Sequence, residues 1–210
     1  MPSQVSRRSR TLVARVMPLA AVLSLAACEG DNGPTEPEGP CTGYQPQSTS
    51  PYVLPYHVGS AFRVIQANCG SFSHLPDGPW RYAYDFDMPI GTPIVAVRSG
   101  VVIEVREQFV DGNRVTGQEN VIWVRHPDNS IGRYLHLTQN GAFVSPGDDV
   151  AQGAVIGLSG DTGFSTQPHL HFDVAECGGP NCNTMPVVFR NTASNPQGLM
   201  RGLSYTAEPY

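Results

Sequence analysis

Two histidines separated by one residue, His169 and His171, are the first side chains in this sequence that could carry chemistry. Residues two apart on a β-strand point to the same face, so these two imidazoles lie side by side and Asp173 shares their face. The apolar Leu170 and Phe172 then face a core. A His-x-His pair alone is equally typical of a half-buried strand with solvated histidines, so its meaning depends on the other groups in the chain.

Other histidine and carboxylate side chains lie in or near further alternating segments. His136 lies in such a segment, Asp85 lies in another with Asp87 as the alternative carboxylate, and His74 precedes Asp85 in the chain. Neutral imidazoles and one carboxylate, with one position left for water, form the ligand set of a catalytic zinc ion. The helical HExxH motif of many zinc peptidases is absent, so that design is excluded.

The segments that must position these groups are predicted to be short β-strands. Gly, Pro, Asn and Asp separate them, and no long stretch has a helical period. The strand-like segments are residues 94–97, 100–105, 121–124, 132–137 and 169–174. Residues 51–210, roughly 160 in number, can form one domain with its own core. We predict a mainly β domain with an antiparallel β-sheet core folded over itself.

Four segments together resemble the lysostaphin-type (LytM-like) zinc metallopeptidases, which are peptidoglycan endopeptidases. The resemblance covers about residues 60–190. Its segments are Ser73-His74 with residues 82–86, residues 91–96 with 100–102, residues 134–137, and residues 157–163 with 168–172. It implies a β-sheet core of the duplicated-hybrid-motif type, a groove between loops for an extended peptide, and one zinc ion (Zn2+) per chain.

Residue by residue, the resemblance implies that His74, Asp85 and His171 are the zinc ligands. It also implies that His136 and His169 handle the water proton and the developing charge.

One position departs from the family pattern. The first family motif is usually HxxxD, but Arg81 stands where its histidine is expected. The nearest upstream histidine is His74, which an insertion has to deliver to the metal. His57 and His126 have no partners in the pattern and are interpreted as structural or solvated.

The function that these residues imply is zinc-dependent hydrolysis of peptide bonds in peptidoglycan stem peptides or cross-links. Two alternatives remain open. One is a non-catalytic LytM-like module that activates other cell-wall hydrolases, and the other is a peptidase that acts on exported proteins.

The first 28 residues are predicted to be a lipoprotein signal peptide. Four Arg residues precede an apolar run over residues 16–27, which is too short to span a bilayer comfortably, and small residues lead to Cys28. The alternative is an ordinary signal with an incidental Cys. We expect export, lipidation of Cys28 and a membrane tether at the cell envelope. Because Glu29 rather than Asp follows the cysteine, the outer membrane is a candidate location.

The remaining four cysteines are expected to form disulfides, because the count is even in an exported chain. The short spacing favours Cys177–Cys182, which leaves Cys41–Cys69. A zinc site made of cysteines alone is the alternative, although no CxxC pair is present. Residues 29–50 are rich in Pro, Gly, Glu, Ser and Thr and are predicted to be a flexible tether.

The charge of the chain argues against a nucleic-acid partner. All 18 acidic residues follow Cys28, whereas nine of the 13 Arg do, and Lys is absent, so the processed chain would carry −9 with His neutral. Phosphate backbones need a basic surface. We expect a monomer whose partners are a peptidoglycan peptide and, through the lipid, a membrane.

Overall fold

The structure, a computed structural model, describes Met1, residues 41–179 and residues 182–210. The predicted signal peptide, Cys28 and residues 29–40 of the tether lie outside the described residues. Where the chain is described, it forms a short 3-10 helix at Gln47–Thr49 and eleven strands. The strands are β1 (Ala61–Gln66), β2 (Tyr84–Asp87), β3 (Pro93–Val95), β4 (Gly100–Arg106), β5 (Val121–Arg125), β6 (Ile131–Leu135), β7 (Leu137–Ala142), β8 (Asp149–Val150), β9 (Val155–Ser159), β10 (His169–Ala175) and β11 (Ser204–Thr206). No described helix has the length and apolarity needed to cross a bilayer.

Two antiparallel sheets enclose the core. The larger has the order β11-β1-β2-β10-β6-β5-β4-β8, and the smaller has the order β3-β9-β7. Ile94 and Ile156 of the small sheet belong to the same buried cluster as Ile122, Tyr134 and Phe172 of the large sheet. The core therefore lies between the two sheets, and the prediction of a mainly β, antiparallel fold is confirmed.

Strand β10 runs through the middle of the large sheet and is buried along its whole length. Its apolar Leu170, Phe172 and Val174 are fully buried in the core cluster. Because side chains alternate along a strand, His169 and His171 lie on the opposite face. The alternation read from the sequence therefore describes this strand correctly.

The predicted strand over residues 132–137 is interrupted, and this part of the prediction was wrong. His136 has a φ of 62°, so β6 ends at Leu135 in the large sheet and β7 begins at Leu137 in the small sheet. A residue in the left-handed backbone region turns the chain out of its strand. The alternation of apolar and polar residues in the sequence does not reveal such a turn. His136 thus lies at the junction of the two sheets.

The domain begins before residue 51. Cys41 forms a disulfide with Cys69, with a Cα–Cα distance of 6.1 Å. The Gln47 amide donates to the carbonyl of Phe189 at 3.0 Å, and the Ser50 hydroxyl donates to a carbonyl of a later segment. These contacts attach residues 41–50 to the domain, so the tether predicted over 29–50 does not extend through its last ten residues.

Cys177 and Cys182 form the second disulfide, with a Cα–Cα distance of 5.6 Å. The two bridges have the pairing that the spacing favoured. Since all four described cysteines are paired, none is left as a thiolate ligand for a cysteine-only zinc site. Disulfides of this kind are typical of proteins outside the cytoplasm.

Candidate metal centre

Three of the predicted residues, His74, Asp85 and His171, come together in a buried cluster. One ligand atom from each lies within 4.8 Å of those of the other two. The Oδ1 atom of Asp85 lies 2.9 Å from Nδ1 of His171 and 3.4 Å from Nε2 of His74. All three side chains are buried. The arrangement has the size and the donor atoms of a mononuclear metal site.

Two strands and one loop bring these residues together. Asp85 on β2 and His171 on β10 are direct cross-strand partners. His74 comes from the loop between β1 and β2. The base of this loop is closed by a hydrogen bond from the Cys69 N–H to the Arg81 carbonyl at 2.6 Å, and Cys69 also forms the disulfide. The loop therefore folds back, and His74 lies over the sheet beside Asp85 and His171.

Arg81, which stands where the family motif has its first histidine, and Asp87, the alternative carboxylate, lie outside the cluster. The Arg81 guanidinium stacks on the Tyr82 ring, 4.6 Å from its centroid, and donates to the Tyr82 hydroxyl at 2.9 Å. Asp87, the reserve for Asp85, is exposed at the end of β2. His57 is exposed, and His126 is buried with its Nδ1 atom 3.1 Å from the Ser99 carbonyl.

The residues of the cluster fit a zinc ion. Both ring nitrogens of His74 are buried and have no hydrogen-bond partner among the described residues. A buried polar group without a partner is costly, and a metal ion satisfies one such nitrogen. Two imidazoles and one carboxylate are also a usual protein ligand set for a catalytic zinc.

A second layer of hydrogen bonds orients the ligands. Gln66 donates to Oδ2 of Asp85 at 2.5 Å, which leaves Oδ1 facing the histidines. The Nε2 atom of His171 lies 3.1 Å from Oδ2 of Asp173. Arg133 forms a bidentate pair with Asp173, at 2.7 and 3.0 Å. Partners of this kind fix the ring and leave the opposite nitrogen to the metal.

The buried charges alter the pKa values of the cluster. Burial opposes ionisation of Asp85, but the imidazoles of His74 and His171 hold its pKa well below the usual range. Burial also opposes protonation of His171, but its hydrogen bonds to Asp173 and Asp85 outweigh burial and raise the pKa of His171 to about 9. A metal ion binds neutral imidazole, so metal binding at neutral pH has to release this proton.

His136 and His169 lie beside the cluster and do not belong to it. Their ring centroids are 4.5 Å apart, and Nε2 of His169 lies 3.9 Å from Oδ1 of Asp85. Nδ1 of His136 contacts the Thr162 carbonyl at 2.6 Å, and Nδ1 of His169 contacts the Gln167 carbonyl at 2.8 Å. Carbonyls only accept, so in the neutral rings both Nδ1 atoms carry the proton and both Nε2 atoms are free to accept one. Burial, followed by the neighbouring histidines, lowers the pKa of His136 to about 3.

A hydrogen-bond chain behind His169 was not predicted from the sequence. The Ser165 hydroxyl lies 3.2 Å from Nδ1 of His169 and donates to Oδ1 of Asp161 at 2.6 Å. Arg114 pairs with the same carboxylate oxygen at 2.8 Å and also donates to the Ser165 carbonyl. The loop between β4 and β5 thus contacts the segment that holds His169.

We expect Ser165→Ala to lower the turnover number without changing zinc content. The variant removes one acceptor for His169 and one donor to Asp161, while the bond to the Gln167 carbonyl preserves the tautomer. One such hydrogen bond contributes about 0.5–1.5 kcal/mol, or roughly two- to tenfold in rate. Steady-state kinetics and metal analysis check this. Ser145→Ala, at an exposed serine, is the matched control, and equal turnover in the two variants would remove any role for Ser165.

Comparison with known proteins identifies the family of the chain. Residues 80–185 match Peptidase family M23, which covers half of the chain. The chain is 41% identical over 116 residues to the peptidoglycan DD-endopeptidase ShyA of Vibrio cholerae, covering 55% of this chain and 25% of that protein. It is 39% identical over 133 residues to lysostaphin of Staphylococcus simulans, covering 61% of this chain and 23% of that protein. The chain therefore belongs to peptidase family M23.

The likeness is confined to one part of these relatives, because the chain spans about a quarter of their length. A solved structure of lysostaphin from Staphylococcus simulans has a TM-score of 0.48 and 29% identity, and the match covers 66% of this chain and 51% of that chain. Asp85, His136, His169 and His171 fall inside the segment matched to the family, and His74 falls outside it.

Proposed function

We propose that this protein is a zinc-dependent metalloendopeptidase that hydrolyses peptide bonds in peptidoglycan stem peptides or cross-links. The observation that carries the proposal is the convergence of His74, Asp85 and His171, with His136 and His169 beside them, in a chain of peptidase family M23. The names of two relatives, a peptidoglycan DD-endopeptidase and lysostaphin, support the substrate class.

The two histidines beside the ligand cluster have different roles in the proposed mechanism. The ligand cluster of His74, Asp85 and His171 would hold a zinc ion, which would supply the Lewis acidity that polarises the scissile carbonyl and acidifies a water molecule. His169 accepts the proton of the attacking water on Nε2 and later donates it to the leaving amine. His136, whose low pKa makes it a weak base, stays neutral and orients the water by accepting a hydrogen bond. The carbonyls of Thr162 and Gln167 keep both rings in the required tautomer.

The same arrangement of residues could also cleave exported proteins. Only the identity of the substrate distinguishes that alternative from a cell-wall enzyme. A non-catalytic activator of other hydrolases needs neither the two free Nε2 atoms nor the ligand cluster. The presence of both groups in one buried site favours catalysis over activation.

Digestion of purified peptidoglycan tests the proposal. The zinc-loaded protein should convert cross-linked fragments into smaller peptides with new amino and carboxyl termini, which mass spectrometry identifies. The same protein treated with a chelator should leave the fragments intact, and His57→Ala, at an exposed histidine, should behave as the wild type. Cleavage of unfolded proteins without cleavage of peptidoglycan would favour the exported-protein alternative, and zinc binding without cleavage of either would favour the activator.

Attachment to a membrane through lipidated Cys28 is part of the proposed biology, with the outer membrane as the candidate location. The basic start and the apolar run that ends at this cysteine support it. Cys28→Ser should move the protein from the membrane fraction to the soluble fraction in cell fractionation, while peptidoglycan cleavage by the purified protein stays unchanged. Retention of the variant in the membrane fraction would contradict lipid anchoring.

A further inference from the structure

A cavity of about 460 Å³ lies on the large sheet, away from the candidate metal centre. Glu104 and Arg106 of β4, Glu119, and Trp123 of β5 line it, together with glycines of two loops. One loop joins β4 to β5, and the other contains the Cys177–Cys182 disulfide. Neither the ligand cluster nor the two histidines beside it belong to this cavity.

The strand register places the cavity on the same face as the metal ligands. Trp123 is the direct cross-strand partner of Arg133, and Arg133 is the direct partner of Asp173. Directly opposite residues point to the same face, and Asp173 contacts His171 on that face. Two strand spacings, roughly 10 Å, separate Trp123 from Asp173 on β10, and His171 lies two residues, about 7 Å, along β10 from Asp173. The resulting distance to His171, about 12 Å, is the span of three to four residues of an extended peptide.

The cavity carries one carboxylate whose charge is not matched. Glu104 forms an ion pair with Arg106, with 3.1 Å between Oε1 and Nε. Glu119 accepts a hydrogen bond from the Gly117 N–H at 3.1 Å and forms no ion pair within the described part of the chain. An unmatched carboxylate in a partly enclosed site favours a cation.

The indole N–H of Trp123 is a buried donor in the lining of the same cavity. Trp123 is 8% exposed, and its Nε1 atom has no hydrogen-bond partner among the described residues. A buried donor usually has a partner, so this N–H is available to an acceptor that enters the cavity.

We propose that this cavity is a specificity subsite that binds an amino-bearing residue of the substrate peptide, about three to four residues from the scissile bond. Glu119 pairs with the ammonium group of that residue, and the Trp123 indole N–H donates to a backbone carbonyl next to it. The subsite deepens the proposed peptidase function and rests on it. It makes the enzyme selective for peptides with a free side-chain amine at one position.

Binding of a matched peptide pair tests the subsite. One peptide of each pair carries lysine three or four residues from a cleavable bond, and the other carries Nε-acetyllysine at the same position, which has the same backbone and no charge. Affinities are measured by calorimetry with the zinc-loaded full chain carrying His136→Asn, so that the ligand is not consumed. Two series are measured, one with the lysine on the amino-terminal side of the cleavable bond and one with it on the carboxyl-terminal side, because the peptide can cross the site in either direction. We expect the lysine peptide of one series to bind roughly tenfold more tightly, as for a hydrogen bond to a charged group.

Two variants separate the contribution of the Glu119 carboxylate to peptide affinity from that of the Trp123 indole. Glu119→Gln should abolish the preference for lysine, and Trp123→Phe, which keeps an aromatic ring, should weaken both peptides by the same few-fold factor. Glu208→Gln, at an exposed carboxylate, is the control and should keep the preference. Equal affinities for lysine and acetyllysine in both series, or a preference that survives Glu119→Gln, would overturn the proposal. Failure of the wild-type enzyme to cleave either peptide would instead contradict the peptidase function, because the affinity ratio does not depend on cleavage.

Discussion

Replacing His136 with Asn is expected to slow peptidoglycan cleavage by about 10²–10³-fold while one zinc equivalent stays bound, because this ring orients the attacking water and one preorganised hydrogen-bonding group in an active site typically contributes that much. His136 has a φ of 62°, and Asn adopts this left-handed conformation more readily than most residues, so the substitution preserves the turn between β6 and β7. The ligand cluster does not include His136. The loss should therefore appear in turnover and not in metal content.

His169→Asn should have an effect of the same order, and the double variant should lose less than the product of the two single losses, because both rings act on one water. The measurements are cleavage rates and zinc content for the same protein preparations. His57→Asn is the control at an exposed histidine. A His136→Asn protein with wild-type turnover would show that this residue serves only to connect the two sheets.

Replacing His74 with Ala is expected to weaken zinc binding by more than ~100-fold and to abolish cleavage. Residues that hydrogen-bond to metal ligands already contribute ~10–100-fold to metal affinity. His74 is expected to bind the ion directly, so its loss should weaken binding further. Asp85 and His171 alone leave the ion with two protein donors, fewer than a catalytic zinc site provides. Metal analysis after dialysis, followed by peptidoglycan cleavage with added zinc, measures both effects.

Arg81→Ala is the informative control for His74, since Arg81 stands where the family pattern has its first histidine. The Arg81 side chain packs on Tyr82 and is not part of the cluster, so this variant should keep its zinc. A full zinc equivalent in His74→Ala would mean that another residue is the first ligand.

The sequence predicted the parts of the site that depend on strand periodicity. On β10 the alternation of side chains fixes which face carries His169 and His171 and which face joins the core. The short β-branched runs likewise predicted an antiparallel fold. These predictions succeeded because the burial of one face specifies the alternation along a strand.

The remaining features depend on long-range contacts that leave no local signal. His136 looked like a strand residue because both of its neighbours are leucines, but its own backbone conformation ends the strand. Thr162 and Gln167 act through carbonyls, so their side chains give no indication of their role. Ser165 acquires its partner Asp161 only after the chain folds back. Gln66 and Arg133 contact carboxylates far away in sequence, and no spacing rule finds such pairs.

The most direct test of the central claim is a crystal structure of the zinc-loaded protein, with anomalous diffraction measured at the zinc absorption edge. We expect a single strong peak per chain, bonded at ~2.0–2.2 Å to one ring nitrogen of His74, Oδ1 of Asp85 and Nδ1 of His171, as is usual for zinc. His136 and His169 should lie beside the ion without binding it. A zinc peak elsewhere, or one without a bond to His74, would contradict the assignment of His74, Asp85 and His171 as the ligands.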